Sequence, residues 1–444
     1  MKRTFFAALL LLSCTALRPV ERLEPRSLPK LQLPELTEVK LPNGMTVFFF
    51  EDHTLPMVSA EVTVKAGSIY DPVAKKGLTK FVVNFMESGG TKTLLPAEFE
   101  RQSDALGIQC EVTPTREMIR GELKTLSSHM EKGFSLFLDM MFRPAFHASR
   151  EDLVRKKLLE DLRREQDEPE LLAKRLFLET VYGKDSTWAR RPTHATIMDI
   201  TRQDAIDYHH HYFVPQNTMM AIVGDFNTEA MKEMLIAATA DLPRTAPAFP
   251  AVSPVEETFS ASRVTLEKPL TQAYIRMGHL GIKRTNPDRF ALTILNHILG
   301  SGDFKSRLME DIRVTRGLAY GISSDFSPET DYGVFEVRVA TKKESADEVI
   351  GIIKKHVEEI AAHGVTEAEL RFAKRSILNG LIFAFETPRR VAAQQLLYRF
   401  YGYPDDYWKT YQAQVKKVTT AEVKRVAQKY LHPDAFKIVV VGPR

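Results

Sequence analysis

Ile200-Thr201-Arg202-Gln203-Asp204-Ala205 lies over Val418-Thr419-Thr420-Ala421-Glu422-Val423 after a shift of 218 residues, without a gap. The same shift pairs Tyr212 with Tyr430, Pro215 with Pro433 and Gly224 with Gly442, so a helix, a proline-marked turn and a strand recur in one order. The first copy closes on Met219-Met220-Ala221-Ile222-Val223-Gly224 and the second on Phe436-Lys437-Ile438-Val439-Val440-Val441-Gly442, both apolar enough for central strands. Matches held in register over this span indicate an internal duplication. Pro243, Pro247, Pro250 and Pro254 punctuate a stretch poor in periodic apolar residues, which reads as a linker over 243–260. It separates an N-terminal domain, 37–242, from a C-terminal domain, 261–444. Within each, β-branched or aromatic runs (Thr46 to Phe50, Val58 to Val64, Gln272 to Met277, Tyr332 to Val339) predict strands. Asp152 to Glu165, Ala346 to Ala362 and Glu367 to Phe383 have helical spacing. Clustered strands and helices predict an α+β fold of two homologous α/β sandwich domains rather than an alternating barrel.

Composition narrows the function classes. The chain has 444 residues, 44% hydrophobic and 27% charged, with a net charge of only +4, and no basic stripe interleaved with aromatics, which argues against a nucleic-acid partner. Met1-Lys2-Arg3 followed by the apolar run Phe5 to Leu12 reads as a signal peptide over 1–14. The expectation is export to the periplasm. Leu11-Leu12-Ser13-Cys14 resembles a lipobox that would lipidate Cys14 and tether the chain to a membrane, while Thr15-Ala16 offers ordinary cleavage instead. Pro19, Pro25, Pro29 and Pro34 mark residues 15–36 as an extended leader. No later run reaches the ~20 apolar residues needed to span a bilayer. With Cys14 spent or removed, Cys110 has no intrachain partner.

The chemistry is carried by Gly77-Leu78-Thr79-Lys80-Phe81-Val82-Val83-Asn84-Phe85-Met86-Glu87-Ser88-Gly89-Gly90-Thr91. It resembles the opening helix of the pitrilysin/insulinase family of zinc peptidases, which there carries H-x-x-E-H. The likeness extends through Leu41-Pro42-Asn43-Gly44-Met45, Tyr212-Phe213-Val214-Pro215-Gln216-Asn217 and Val223-Gly224-Asp225-Phe226. It implies two similar domains, each an antiparallel-rich sheet backed by helices. Lys80 and Asn84 stand where the family has its two histidine ligands, and Val83 where it has the glutamate that activates water. An ammonium has no lone pair to give, an amide is a poor zinc ligand, and valine moves no proton. By the same resemblance the third ligand position falls on Asp161 or its neighbour Glu160. A carboxylate there would pair with Lys80 more naturally than with a metal. No cofactor is therefore expected on this chain.

The second half keeps more of the family pattern. Leu299-Gly300-Ser301-Gly302 resembles the family's glycine-containing loop, and Ile312-Arg313-Val314-Thr315-Arg316-Gly317-Leu318-Ala319-Tyr320 its arginine and tyrosine segment. In the family that pair hydrogen-bonds the substrate carbonyl. Three other features read as ordinary structure: His209-His210-His211 as a solvated helix end, His356-Val357-Glu358-Glu359, which begins like the motif but has Ile360 at its closing position, and Arg155-Lys156-Lys157 as exposed helix. The resemblance implies a non-zinc-binding subunit whose partner is a related subunit bearing H-x-x-E-H and zinc, the pair acting on unfolded peptides as in mitochondrial processing peptidase and certain bacterial heterodimers. The alternative is a free-standing peptide-binding or assembly pseudopeptidase with no catalytic role.

Overall fold

The computed structural model describes residues 36–404 and 406–443; the signal segment, Cys14 and the leader before residue 36 lie outside the described residues. The first sheet contains β1 (Thr37–Lys40), β2 (Thr46–Glu51), β3 (Met57–Val64), β4 (Gln109–Pro114), β5 (Ile119–Leu126) and β6 (Thr218–Gly224), in the order β1-β2-β6-β3-β5-β4. The second contains β7 (Ser262–Glu267), β8 (Ala273–Leu280), β9 (Ala319–Ser327), β10 (Val334–Thr341) and β11 (Lys437–Gly442), in the order β7-β11-β8-β10-β9. Without β1 the two orders are the same. Each sheet has one parallel pair, β2 with β6 and β7 with β11, and its remaining pairs are antiparallel. The duplication read from the sequence is thus a duplication of topology.

The first half carries helices α1 (Leu78–Ser88), α2 (Pro96–Leu106), α3 (Met130–Phe142), α4 (Glu151–Asp167), α5 (Pro169–Tyr182), α6 (His194–Asp199), α7 (Arg202–Tyr212) and α8 (Thr228–Ala238). The second carries α9 (Arg289–Asn296), α10 (Ala346–His363), α11 (Glu367–Ala384), α12 (Pro388–Phe400), α13 (Tyr407–Lys417) and α14 (Thr420–Tyr430). The repeated hexapeptides open α7 and α14 through identical capping boxes. Thr201 accepts the Asp204 N–H while Asp204 accepts the Thr201 N–H, and Thr419 and Glu422 do the same. Residues 243–261 run between α8 and β7 without regular structure.

Central strands here are apolar on both faces because both faces are covered. In β6, Met220 and Ile222 enter the core shared with α1, α3 and α7, whereas Ala221 and Val223 point the other way and meet Ala392 and Leu396 of α12. In β11, Ile438 and Val440 join the core beneath α9, α10 and α14, whereas Val439 and Val441 meet Leu172, Ala173 and Phe177 of α5. The period-2 alternation of a strand divides each run between two covers. The second cover is exchanged: α5 of the first half lies on the second sheet, and α12 of the second half on the first. Both begin with a proline in the first turn. Their first turns also carry opposite charges to opposite partners, Glu170 to Arg276 at 3.5 Å and Arg389 to Glu122 at 2.7 Å.

Two expectations are corrected. His209 does not end a solvated helix: it is 2% exposed, donates through Nε2 to the Met141 carbonyl at 2.8 Å and stacks on Phe213, while His210 and His211 face solvent. Burial pushes its pKa down to about 3. Arg155 is not free surface either. Its guanidinium donates to the carbonyls of Ile197 and Ile200, pairs with Glu151 and lies over the Phe81 ring, bracing α4 against α6, while Lys156 and Lys157 are exposed.

Phe177 is fully buried under the second sheet, so Phe177→Ala should lower unfolding free energy by about 3–5 kcal/mol in urea titration. Met198→Ala, at a half-exposed site, should change it by less than about 0.5 kcal/mol. His209 sets a pH dependence. Its folded pKa lies below the unfolded value, so the unfolded chain takes the proton first; the stability is complete above about pH 6.5 and is lost as pH falls toward 3, by at most ~1.4 kcal/mol per unit. His209→Gln keeps a donor but cannot titrate, and should flatten the urea midpoint between about pH 6.5 and 5.

Candidate functional site

Helix α1 is started from a distance. Gly77 adopts a left-handed conformation at φ 101°, and a Cβ there would stand 3.0 Å from Pro192. The buried Asp71 carboxylate then accepts the N–H groups of Gly77 and Thr79 and the Thr79 hydroxyl, at 2.9, 3.0 and 2.5 Å. A carboxylate at this end satisfies orphan donors and opposes the helix dipole. Phe81, Val82, Phe85 and Met86 fix the rotation of the helix by entering the core. That leaves Lys80, Val83 and Asn84, at spacings of three and four, along the face where the resemblance places the metal motif.

The Lys80 ammonium lies 2.7 Å from the Asp161 carboxylate of α4, and Glu160 points to solvent. An ion pair therefore joins the two helices at the position to which the resemblance assigns the metal motif. Val83 is buried and inert; Asn84 is 7% exposed with its Nδ2 unbonded. Zinc needs three or four lone-pair donors at about 2.0–2.3 Å, and this set offers one carboxylate, already engaged by a cation. Among the described residues no group of three His, Cys, Asp or Glu side chains could hold an ion. The residues present do not fit zinc.

In the second half, Gly300 and Gly302 are packing glycines. A Cβ on Gly300 would come within 2.5 Å of Ser324 Oγ, and one on Gly302 within 2.3 Å of the His297 carbonyl. This close seat on β9 lets the chain turn at Asp303 and present Phe304. Arg313 follows on a π-helical turn, Met309–Thr315, and Gly317, at φ 64°, redirects the chain into β9 and Tyr320. The Arg313 guanidinium is held between two rings, 4.6 Å from Phe304 and 4.7 Å from Tyr320. Neither the guanidinium nor the phenol has a hydrogen-bond partner among the described residues, and Tyr320 is 84% exposed. Asp311, on the same turn, is tied to His356 at 2.8 Å and to Arg316 at 2.7 Å. His356 is thus a partly buried brace for that turn. Phe304 was not singled out in the sequence, although an aromatic just after the two glycines was a legible signal.

The two sets do not share a cavity. Lys80 and Asp161 line one of about 710 Å³, together with Leu171, Lys174, Arg175 and Leu178 of α5. Tyr320 lines another of about 410 Å³ on the second sheet, with Glu170 and Ala173 of α5. One helix forms part of both walls.

Two α/β halves of matching topology, with a degraded metal-binding helix in the first, define the scaffold of a zinc peptidase without its metal donors. Residues 46–190 match the family described as insulinase (peptidase family M16), and residues 199–377 match the peptidase M16 inactive domain. Together these span well over half of the chain, which belongs to that family. A Bacillus subtilis protein named uncharacterized zinc protease YmxG is 22% identical over 350 residues, 78% of this chain and 83% of its own length. A Helicobacter pylori protein named non-peptidase homolog YmxG is 25% identical over 399 residues, 88% of this chain and 89% of its own. The crystal structure of a peptidase M16 inactive domain from Pseudomonas fluorescens superimposes with a TM-score of 0.84 at 25% identity, covering 93% of this chain and 98% of that one.

The donor set has a direct consequence. The purified chain, dialysed after exposure to excess zinc, should retain no stoichiometric zinc in elemental analysis. Because Lys80 is 47% exposed, Lys80→Met should cost no more than ~1 kcal/mol of stability.

Proposed function

We propose that this chain is the non-zinc-binding subunit of a heteromeric zinc metallopeptidase acting on unfolded peptides. The observation that carries the reading is an asymmetry. The groups that would grip a metal and activate water are replaced, while a half-buried Arg313 and an exposed Tyr320 stand together with their polar ends unused. A related subunit with an intact H-x-x-E-H would contribute zinc and the attacking water. Arg313 and Tyr320 would donate N–H and O–H to the scissile carbonyl oxygen as it gains negative charge. The flanking Phe304 and Tyr320 rings hold the guanidinium before substrate arrives, so little ordering remains to be done. Export to the periplasm, with a membrane tether through Cys14 where it is lipidated, belongs to the same reading.

A second reading is a free-standing peptide-binding pseudopeptidase; the name non-peptidase homolog, given to the Helicobacter pylori relative, favours it. Co-purification with a related chain bearing H-x-x-E-H separates the two. The pair should cleave an unfolded peptide and lose activity to a chelator, while this chain alone stays inert. Arg313→Ala or Tyr320→Phe should lower turnover of the pair roughly a hundredfold with assembly unchanged. Full turnover in both variants would remove the proposed role and leave the binding-protein reading.

A further inference from the structure

The cavity around Lys80 has a charge balance that a merely degraded metal site does not require. Eight cationic side chains and four carboxylates line it. The excess of four positive charges equals the net charge of the entire chain, so it is a local concentration and not the background of a basic protein. Its volume, about 710 Å³, falls within the ~300–1,000 Å³ of ligand-binding clefts.

All four carboxylates are spent inside the wall. Asp161 holds Lys80 at 2.7 Å, Glu165 holds Arg191, and Glu329 reaches across from the second half to Arg116 at 2.8 Å. Asp71 is consumed by the backbone at the start of α1. The cations are not spent to the same degree. Lys76 and Lys174 have no carboxylate within ion-pair distance among the described residues, and Arg190 donates only to the Asp71 carbonyl and the Thr187 hydroxyl. Trp188, 4% exposed and part of the same wall, has an indole N–H without an acceptor. What the wall has left over is positive charge and donors. A concave wall of one sign concentrates counter-charge.

We propose that this cavity is a binding site for an acidic peptide segment, whose Asp and Glu side chains pair with Lys76, Lys174 and Arg190. Leu171, Leu178 and Trp188, which share the wall, suit the aliphatic stretches between such side chains. A lone small anion would leave most of the volume empty. The proposal shares with the proposed function the premise that the ligand is a peptide, but it needs no zinc-bearing partner, so the isolated chain tests it.

The experiment is fluorescence anisotropy on the full chain with a short fluorescein-labelled peptide alternating Glu and Gly. Counterparts carry Gln or Lys in place of Glu, and inorganic phosphate serves as a competitor. The Glu peptide should bind at least about tenfold tighter than the Gln peptide and weaken as salt is raised. The double variant Lys76→Glu, Lys174→Glu changes two side chains outside the core and should lose about tenfold in affinity and take up the Lys peptide instead. Lys156→Glu with Lys157→Glu, on the exposed face of α4 outside the cavity, should leave binding unchanged. Equal losses in the two double variants would mean general electrostatic attraction and would overturn the site. Equal affinity for the Glu and Gln peptides, or displacement by phosphate at concentrations equal to the peptide's own, would overturn it as well.

Discussion

A strand that is apolar on both faces needs two covers, and in this chain the second cover always comes from the other half. Helix α5 lies on the second sheet and α12 on the first, so neither half can bury its own sheet without its partner. Hydrophobic burial is non-directional and does not by itself tell two similar helices apart. Their first turns also differ in charge: Glu170 at the start of α5 meets Arg276, which pairs more closely with Glu336, while Arg389 at the start of α12 meets Glu122. By the register of the two sheets, the equivalent seat on its own sheet would set Glu170 beside Glu61 and Arg389 beside Arg338. Glu170, Arg389 and Glu122 are all substantially exposed, so each contact adds only a modest bias toward the exchanged arrangement.

This exchange also positions the candidate sites. Because α5 is clamped by Leu172, Phe177 and Val181, its remaining faces are fixed in direction, one toward the basin around Lys80 and one toward the groove beside Tyr320. Beside that basin the Lys80–Asp161 pair keeps α1 tied to α4. The contact between the two helices is thus an ion pair of modest strength. The wall around it carries more cationic side chains than carboxylates.

Much of the architecture was legible because duplication leaves two copies to compare. Thr201 and Thr419, with their acids three residues on, mark the same cap twice, and the runs ending at Gly224 and Gly442 mark the same central strand. Lys80, Val83 and Asn84 were singled out by the family resemblance, and of the two acids it left open, Asp161 is the one turned toward Lys80. The helix exchange was not legible. Amphipathic spacing says that a helix has an apolar face but not which sheet will receive it. His209 and Arg155 were misread for a related reason: a polar side chain is buried when a distant carbonyl is waiting for its N–H, and Met141, Ile197 and Ile200 are far from them in sequence. The cationic basin was not legible because its lining comes from five separate segments that no local charge count brings together.

The crossed helices also set a schedule for biogenesis. The strands of the first sheet are all present once Gly224 has been made, but the helix that shields their far side begins only at Pro388, roughly 160 residues later. Throughout that interval Phe48, Ala221 and Val223 have no native cover, on a chain whose N-terminus reads as an export signal. A nascent protein built this way cannot complete its halves one after the other; it must be kept from sticking to its neighbours until nearly the last helix has emerged.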